Sequence, residues 1–333
     1  NPNPLDGLPI QVGSIFSGGE VENDNWAVFA QSTWDMTSDF SVTAGIRYTD
    51  EQKQFLPYSI VPPDGGPYFG GGGPGTRNRY ADCPTGAEGP AACPGGPFPG
   101  LLFLPGDSLV PQEWVEEEFQ KTNVMLNGAW NLNDDVMVYA TYSQGFKSGG
   151  FDQRYQAGAP AVTSFDPEEV EAIEFGLKSS WLDNSLRVNA AAFYSDYQDM
   201  QLVALFGFAP VTKNAGEATI QGFEIEATYI PESSWLIQLG VGYLDAEYEE
   251  LSDDILNTTP ITKDSAFAQV PEWSTNLGIS YTTTWGEWTV EPRLDWIYTD
   301  ETYQDAGNDP LLWADSYDLV NASISMTSAD DAW

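Results

Sequence analysis

Apolar and polar residues alternate one by one along much of the chain. From Phe40 to Tyr48 every second residue is apolar, and comparable alternation recurs at 223–229, 235–243 and 273–281. A period of two places neighbouring side chains on opposite faces of a β-strand. The pattern predicts about 11 strands, each with one apolar and one polar face, and little helix.

The predicted connections between these strands alternate between short and long. Short turns fall at 37–39, 133–134, 183–184, 232–233 and 286–287, and long connections at 56–113, 149–168, 203–216, 250–270 and 302–314. An up-and-down barrel in an outer membrane has this asymmetry, with short turns on one side and long extracellular loops on the other, whereas a Greek-key sandwich has no reason for it. We therefore predict an all-β, antiparallel, up-and-down transmembrane β-barrel over residues 26–333, preceded by an extracellular loop or linker at 1–25.

Aromatic residues fall into two bands along the predicted strands. The tryptophans beside the short turns are Trp34, Trp130, Trp181, Trp235, Trp285 and Trp288. The tyrosines toward the long connections are Tyr48, Tyr194, Tyr197, Tyr243, Tyr248, Tyr298 and Tyr303. Amphipathic rings gather at the headgroup depth of a bilayer, so two such bands indicate the paired girdles of a membrane barrel.

The polar faces of the strands carry charged residues, which suit a wet or polar-plugged lumen. The lumen-facing candidates are Arg47, Glu174, Lys178, Glu224, Glu226 and Arg293. In a soluble sandwich the same side chains would simply be solvated, so this feature alone does not separate the two architectures.

The composition argues against several classes of function. The 333 residues include 50 acidic and 12 basic side chains, a net charge of −38, and no histidine. A chain this acidic does not suit nucleic acid binding, and the absence of imidazole removes the usual catalytic triads and most zinc sites. No apolar run reaches 18 residues, so the sequence predicts no transmembrane helix. We expect neither enzymatic activity nor a cofactor nor a resident metal.

The long connections supply the candidate ligand contacts. The Gly- and Pro-rich segment 56–113 contributes Tyr68, Phe69, Arg77, Arg79 and Tyr80, and the region after the next two strands contributes Phe146, Arg154 and Tyr155. Binding residues commonly lie on loops held by a rigid scaffold, although a flexible surface insertion is the alternative. Cys83 and Cys93 either pair as a disulfide, which we favour, or remain free thiols.

Two acidic clusters lie in the later connections. One contains Asp245, Glu247, Glu249, Glu250, Asp253 and Asp254, and the other Asp300, Glu301, Asp305 and Asp309. Neither has the spacing of an EF-hand, so we favour a solvated acidic rim over a calcium site. Such a rim would favour neutral or cationic ligands over anionic ones.

Several segments together resemble the barrel of TonB-dependent outer-membrane receptors. They are 26–31 leading to 44–48, Tyr139–Phe151, Glu174–Lys178, Asn214–Ala218 and Gly222–Glu226. The resemblance implies a 22-stranded barrel around an N-terminal plug, with ligand uptake powered by the TonB complex of the inner membrane. The chain supplies about half of those strands and nothing resembling the plug or the TonB box, so we expect it to be part of a longer protein.

The resulting functional hypothesis is TonB-dependent active uptake across the Gram-negative outer membrane. The ligand would be a scarce small molecule such as a siderophore or other metal chelate, cobalamin or a carbohydrate, and the other partners would be outer-membrane lipid and the TonB complex. The alternatives are a passive outer-membrane porin and a secreted all-β protein that binds or adheres through calcium. Apolar faces of two sheets stacked in a dry centre would contradict the membrane reading.

Overall fold

The computed structural model describes residues 16–60, 113–152, 162–206 and 209–328. The first four long strands are β1 (Phe16–Asp35), β2 (Phe40–Ile60), β3 (Val115–Asn133) and β4 (Val136–Lys147). They are followed by β5 (Gly150–Phe151), β6 (Ser164–Phe165), β7 (Glu168–Trp181), β8 (Leu186–Gln198), β9 (Gln201–Phe206), β10 (Ala209–Asn214), β11 (Gly216–Tyr229) and β12 (Trp235–Leu251). The remaining elements are α1 (Asp253–Thr258), β13 (Trp273–Tyr281), β14 (Thr283–Trp285), β15 (Trp288–Thr299), β16 (Thr302–Tyr303), a 3-10 helix (Pro310–Leu312), β17 (Trp313–Ala314) and β18 (Tyr317–Ser328).

One antiparallel sheet of 12 strands dominates the molecule. Its order is β1-β2-β3-β4-β7-β8-β11-β12-β13, followed by β15, which also pairs with β14 and β18. Because β13 and β14 both pair with β15 and are separated only by Thr282, they form one span. The sheet therefore has the 11 up-and-down spans that the alternation predicted. Within the described ranges, no helix has the length and apolar character needed to cross a membrane.

The short connections confirm the predicted turns, and the long ones contain structure that the sequence pattern did not indicate. Trp285 pairs with Trp288 across a two-residue turn, and Trp181 pairs with Leu186. Small hairpins form within three long connections, from β5–β6, β9–β10 and β16–β17. The helix α1 occupies a fourth, where the Ser252 hydroxyl caps its first turn by accepting from the Ile255 N–H.

The first strand begins ten residues before the boundary expected between a linker at 1–25 and the barrel. Residues 16–25 pair with residues 51–60 in unbroken antiparallel register. This stretch contains Gly18, Gly19, Glu20 and Glu22 and lacks the apolar alternation of the later strands. It extends the sheet above the apolar band, where no lipid-facing residues are needed, and hydrophobic periodicity could not reveal it.

Apolar side chains on one face of the sheet are exposed rather than buried against a second layer. Phe175 is 63% exposed and Trp130 is 53% exposed, and the six tryptophans beside the short turns all remain between 39% and 74% exposed. The buried apolar residues of the described chain gather instead at the long-connection end: they are Phe55, Phe119, Met200, Val211, Ala215, Ala218, Tyr248, Leu251, Ile255 and Ile261. No dry core between two sheets exists in this part of the chain, which contradicts the sandwich alternative.

Candidate functional site

The strand registers place all six lumen-facing candidates on one face, opposite the six tryptophans beside the short turns and Phe175. In β7, Glu174 and Lys178 alternate with Ile173, Phe175 and Leu177. In β11, Glu224 and Glu226 alternate with Phe223 and Ile225, and Arg47 and Arg293 occupy the equivalent positions of β2 and β15. We call this the polar face.

Several charged side chains of the polar face have partners within the sheet. The guanidinium of Arg293 donates to both carboxylate oxygens of Asp295, with Nε–Oδ2 at 2.9 Å and Nη2–Oδ1 at 2.6 Å. The Tyr139 hydroxyl donates to Glu174 at 2.7 Å, and the Lys178 ammonium lies 5.8 Å from the Tyr139 ring centroid. These side chains form local polar pairs on the strands themselves.

Glu224 and Glu226 are arranged differently. Their partners across the β11–β12 pairing are Gly242 and Gly240, so no side chain covers them from that strand. Both residues are exposed, and among the residues that the structure describes neither carboxylate has a hydrogen-bonding or ion-pairing partner. The polar face therefore presents two open carboxylates, each paired with a glycine of β12.

A small apolar core fixes the extracellular end of β8, β11 and β12. It consists of Met200, Ala215, Ala218, Tyr248, Leu251, Ile255 and Ile261. Burial raises the pKa of the Tyr248 phenol, and the ring stacks on Phe267 with centroids 4.3 Å apart. Tyr197 packs against the same core, and burial together with the nearby Glu168 raises its pKa.

This core corrects the assignment of the tyrosine band. Tyr197 and Tyr248 belong to the extracellular core and Tyr303 contacts Trp313 in the β16–β17 hairpin, with ring centroids 4.6 Å apart. Tyr48, Tyr194, Tyr243 and Tyr298 lie on the apolar face, as expected of the girdle. A tyrosine near a strand end suits both environments, so sequence position alone did not distinguish them.

The sequence-predicted ligand contacts fall mostly outside the described residues. This applies to Tyr68, Phe69, Arg77, Arg79, Tyr80, Arg154 and Tyr155, and to the cysteines Cys83 and Cys93. Phe146 is described: it is half-buried near the end of β4, opposite Glu169 of β7. It stands at the base of the β4–β7 connection, on the same face of the sheet as Ala140 and Phe175.

The acidic clusters are engaged in local hydrogen bonds. Asp245 accepts from Gln221 at 3.0 Å, Glu249 accepts from Thr219 at 3.0 Å, and Asp254 pairs with Lys213. Asp305 accepts from the backbone N–H groups of Gly307 and Asp309, both at 3.0 Å. Across the described ranges, no three acidic side chains converge as a metal site would require.

Three side chains that join loops were not singled out as site residues from the sequence. Lys53, Gln201 and Asn214 hydrogen-bond to the stems of the β4–β7 connection. Asn214 belongs to a segment that carried the family resemblance, but nothing in the sequence indicated its partners. The Lys53 and Gly149 contact spans 96 positions, and no local pattern reports a contact of that range.

Comparison with known proteins supports the family resemblance found in the sequence. The family model described as "TonB dependent receptor-like, beta-barrel" matches residues 1–333. A probable TonB-dependent siderophore receptor, PiuA, of Acinetobacter baumannii is 27% identical over 191 residues, covering 54% of this chain and 24% of the relative. The pesticin receptor of Yersinia enterocolitica is 30% identical over 128 residues, covering 38% of this chain and 19% of that protein.

Solved structures share the fold. The ferric yersiniabactin uptake receptor FyuA from Yersinia pestis aligns with a TM-score of 0.68 at 19% identity, covering 93% of this chain and 39% of that one. The siderophore receptor PiuA aligns with a TM-score of 0.60 at 17% identity, covering 92% and 37%. The chain thus spans about a quarter or less of these curated relatives and less than two fifths of these solved chains.

These matches show to which class of protein the chain belongs. The family consists of receptors and transporters of the Gram-negative outer membrane rather than enzymes. The open antiparallel sheet, with its exposed apolar face and charged polar face, has the architecture of part of such a barrel. The chain belongs to the TonB-dependent receptor family and supplies part of its outer-membrane β-barrel.

Proposed function

We propose that the protein containing this chain is a TonB-dependent receptor that imports a ferric siderophore or a similar metal chelate across the outer membrane. The observation that carries the proposal is the family match across the whole chain, combined with the open sheet and its two chemically distinct faces. The relative PiuA is named a probable siderophore receptor and the structural neighbour FyuA a ferric yersiniabactin uptake receptor, and both names support this ligand class.

The polar face would contribute the transport path. In this proposal Arg47, Glu174, Lys178, Glu224, Glu226 and Arg293 face the interior, and the open carboxylates Glu224 and Glu226 accept hydrogen bonds or positive charges from a plug domain. Their exposure opposite two glycines leaves room for such a partner. A desolvated carboxylate gains most from a cationic or N–H partner, which would hold the plug against the wall.

Ligand capture would occur at the extracellular end. The proposed contacts are Tyr68, Phe69, Arg77, Arg79, Tyr80, Phe146, Arg154 and Tyr155, presented by the connections around β2–β3 and β4–β7. The surrounding acidic rim would disfavour strongly anionic chelates, so we expect the preferred ligand to be neutral or cationic.

A growth experiment tests the uptake function. The full-length gene is expressed in a Gram-negative strain that lacks its own siderophore receptors, and growth is measured under iron limitation with a panel of neutral, cationic and anionic ferric chelates. We expect growth with at least one chelate in the presence of TonB and none in an isogenic strain without TonB. Equal rescue with and without TonB would support the passive porin instead.

A further inference from the structure

A side chain of β2 hydrogen-bonds to the first stem of the connection between β4 and β7. The Nζ of Lys53 donates to the Ser148 hydroxyl at 2.6 Å and to the Gly149 carbonyl at 2.7 Å. The same ammonium lies 3.3 Å from a carboxylate oxygen of Glu51 and 5.8 Å from the centroid of the Phe119 ring. Charge-assisted bonds to a half-buried ammonium are among the stronger polar contacts, so β2 holds the first stem of this connection firmly.

Two residues of the β9–β10 hairpin hydrogen-bond to both stems of the same connection. Gln201 donates from Nε2 to the carbonyls of Ser148 and Asp166, both at 3.0 Å, and its backbone N–H donates to Glu168 at 2.6 Å. Asn214 accepts from the Asp166 N–H at 2.7 Å and donates to the Asp166 carbonyl at 2.9 Å. A side-chain amide that uses both its donor and its acceptor on one residue's backbone substitutes for a strand-pairing contact.

Apolar packing seals the first stem against the sheet. Phe55 is 1% exposed and stacks on Phe151, with ring centroids 5.9 Å apart. Gly149 is so closely packed that an added Cβ would lie 2.2 Å from the Phe165 carbonyl oxygen and 2.6 Å from the Phe119 ring. The hydrogen bonds of Lys53 are therefore made next to a packed aromatic cluster rather than in open water, where they would be weaker.

We propose that Lys53, Gln201 and Asn214 are positioning residues that join three extracellular segments into one cooperative unit, the loop clasp. The three segments are the end of β2, the β4–β7 connection through its two stems at 147–151 and 164–168, and the β9–β10 hairpin. Ser148 is the shared point, because it accepts from Lys53 on one side and from Gln201 on the other. The inference deepens the proposed receptor function, since a ligand contact at one of these loops would then be transmitted to the others.

Hydrogen–deuterium exchange of the full-length protein in lipid nanodiscs, without ligand, tests the clasp. In Lys53→Met we expect exchange about tenfold faster at 147–151, where contacts are lost, and also at 201–214, which lies outside the contacts of Lys53. Lys53→Arg keeps a cationic donor and should restore protection at both segments. Lys263→Met is the matched control, because Lys263 is exposed and donates to the Glu249 carbonyl away from the clasp.

A second variant changes the clasp in the β9–β10 hairpin. Asn214→Asp keeps the side-chain shape but places a carboxylate oxygen against the carbonyls of Asp166 and Asp199, which the amide now satisfies at 2.9 and 2.8 Å. We expect faster exchange at 147–149 as well as at 164–168. If exchange in both variants is faster only at the segments that the mutated side chain itself contacts, the proposal of a cooperative clasp is wrong.

The readouts separate this inference from the uptake proposal. Barrel integrity in each variant is checked by the heat-dependent shift in gel mobility, which should match that of the wild type because the clasp lies beyond the membrane-spanning band. Exchange is measured without chelate, TonB or iron. A failed clasp therefore leaves the uptake proposal standing, and failed growth rescue leaves the clasp standing.

Discussion

Gly216, at the start of β11, is the residue whose backbone conformation the extracellular core depends on most directly. Its φ is +137°, and an added Cβ would lie 2.0 Å from the Glu250 carbonyl oxygen and 2.7 Å from the Glu250 carbonyl carbon. Backbone atoms of a paired strand cannot move aside as a flexible side chain can. The neighbouring Ala215 and Ala218 are 0% and 1% exposed, so a shift here would propagate into the core.

We predict that Gly216→Ala destabilises the extracellular core by about 1–3 kcal/mol, the usual cost of a forced backbone conformation, with any unrelieved clash adding to it. The measurement is limited proteolysis of the full-length receptor, in which cleavage should increase within 199–206 and 252–261. Gly45→Ala is the control: an added Cβ there meets only ordinary contacts at 3.8 Å, so its effect should stay within about 0.5 kcal/mol. Equal cleavage of the two variants would contradict the role assigned to Gly216.

At the scale of the strand, the two faces should differ in their tolerance of charge. Phe175 lies midway along β7 on the apolar face, between Ala140 and Ala192 of the neighbouring strands. Ala191 of β8 lies on the polar face, opposite Glu224. A cationic side chain would meet hydrocarbon at the first position and an open carboxylate at the second.

We therefore predict that Phe175→Lys lowers the free energy of unfolding by about 2–4 kcal/mol, as expected for a lysine near the bilayer midplane. Ala191→Lys, matched in depth and in the residue introduced, should change it by less than about 1 kcal/mol. The measurement is denaturant unfolding of the full-length barrel in lipid vesicles, followed by tryptophan fluorescence. Similar losses for both variants would mean that the face assignment is wrong.

The spans were predictable from the sequence because the information that defines them is local. Alternation over about ten residues fixes both the strand and its faces, and the short turns follow from where the alternation stops. The polar extension at 16–25, the β9–β10 hairpin and the contacts of Lys53 were not predictable. The extension lacks alternation, and the Lys53 contacts join residues 95 and 96 positions apart. Where pairing partners and packing decide the structure, a single sequence offers no periodic signal.

At the scale of the whole molecule, the sheet and its charge determine how a ligand would approach. The polar residues of the strand extensions and of α1 place carboxylates beyond the apolar band, on the side of the long connections. The exposed ones include Glu20, Glu22, Glu116, Glu118, Asp253 and Asp254. With a net charge of −38 on the chain, this surface should create a negative potential around the extracellular mouth, which attracts cations and repels anions before any specific contact forms.

The charge of the ligand should therefore set the salt dependence of its association rate. Between 10 and 150 mM ionic strength the screening length falls from about 30 to about 8 Å, so we predict that the association rate of a cationic ferric chelate falls about tenfold and that of an anionic chelate rises. A neutral chelate of the same metal is the control and should change less than about twofold, because screening acts only on charge. The measurement is stopped-flow quenching of tryptophan fluorescence in the full-length receptor. If all three chelates respond alike to salt, the acidic extracellular end does not steer the ligand, and the preference for neutral or cationic chelates would have to come from contacts within the binding site.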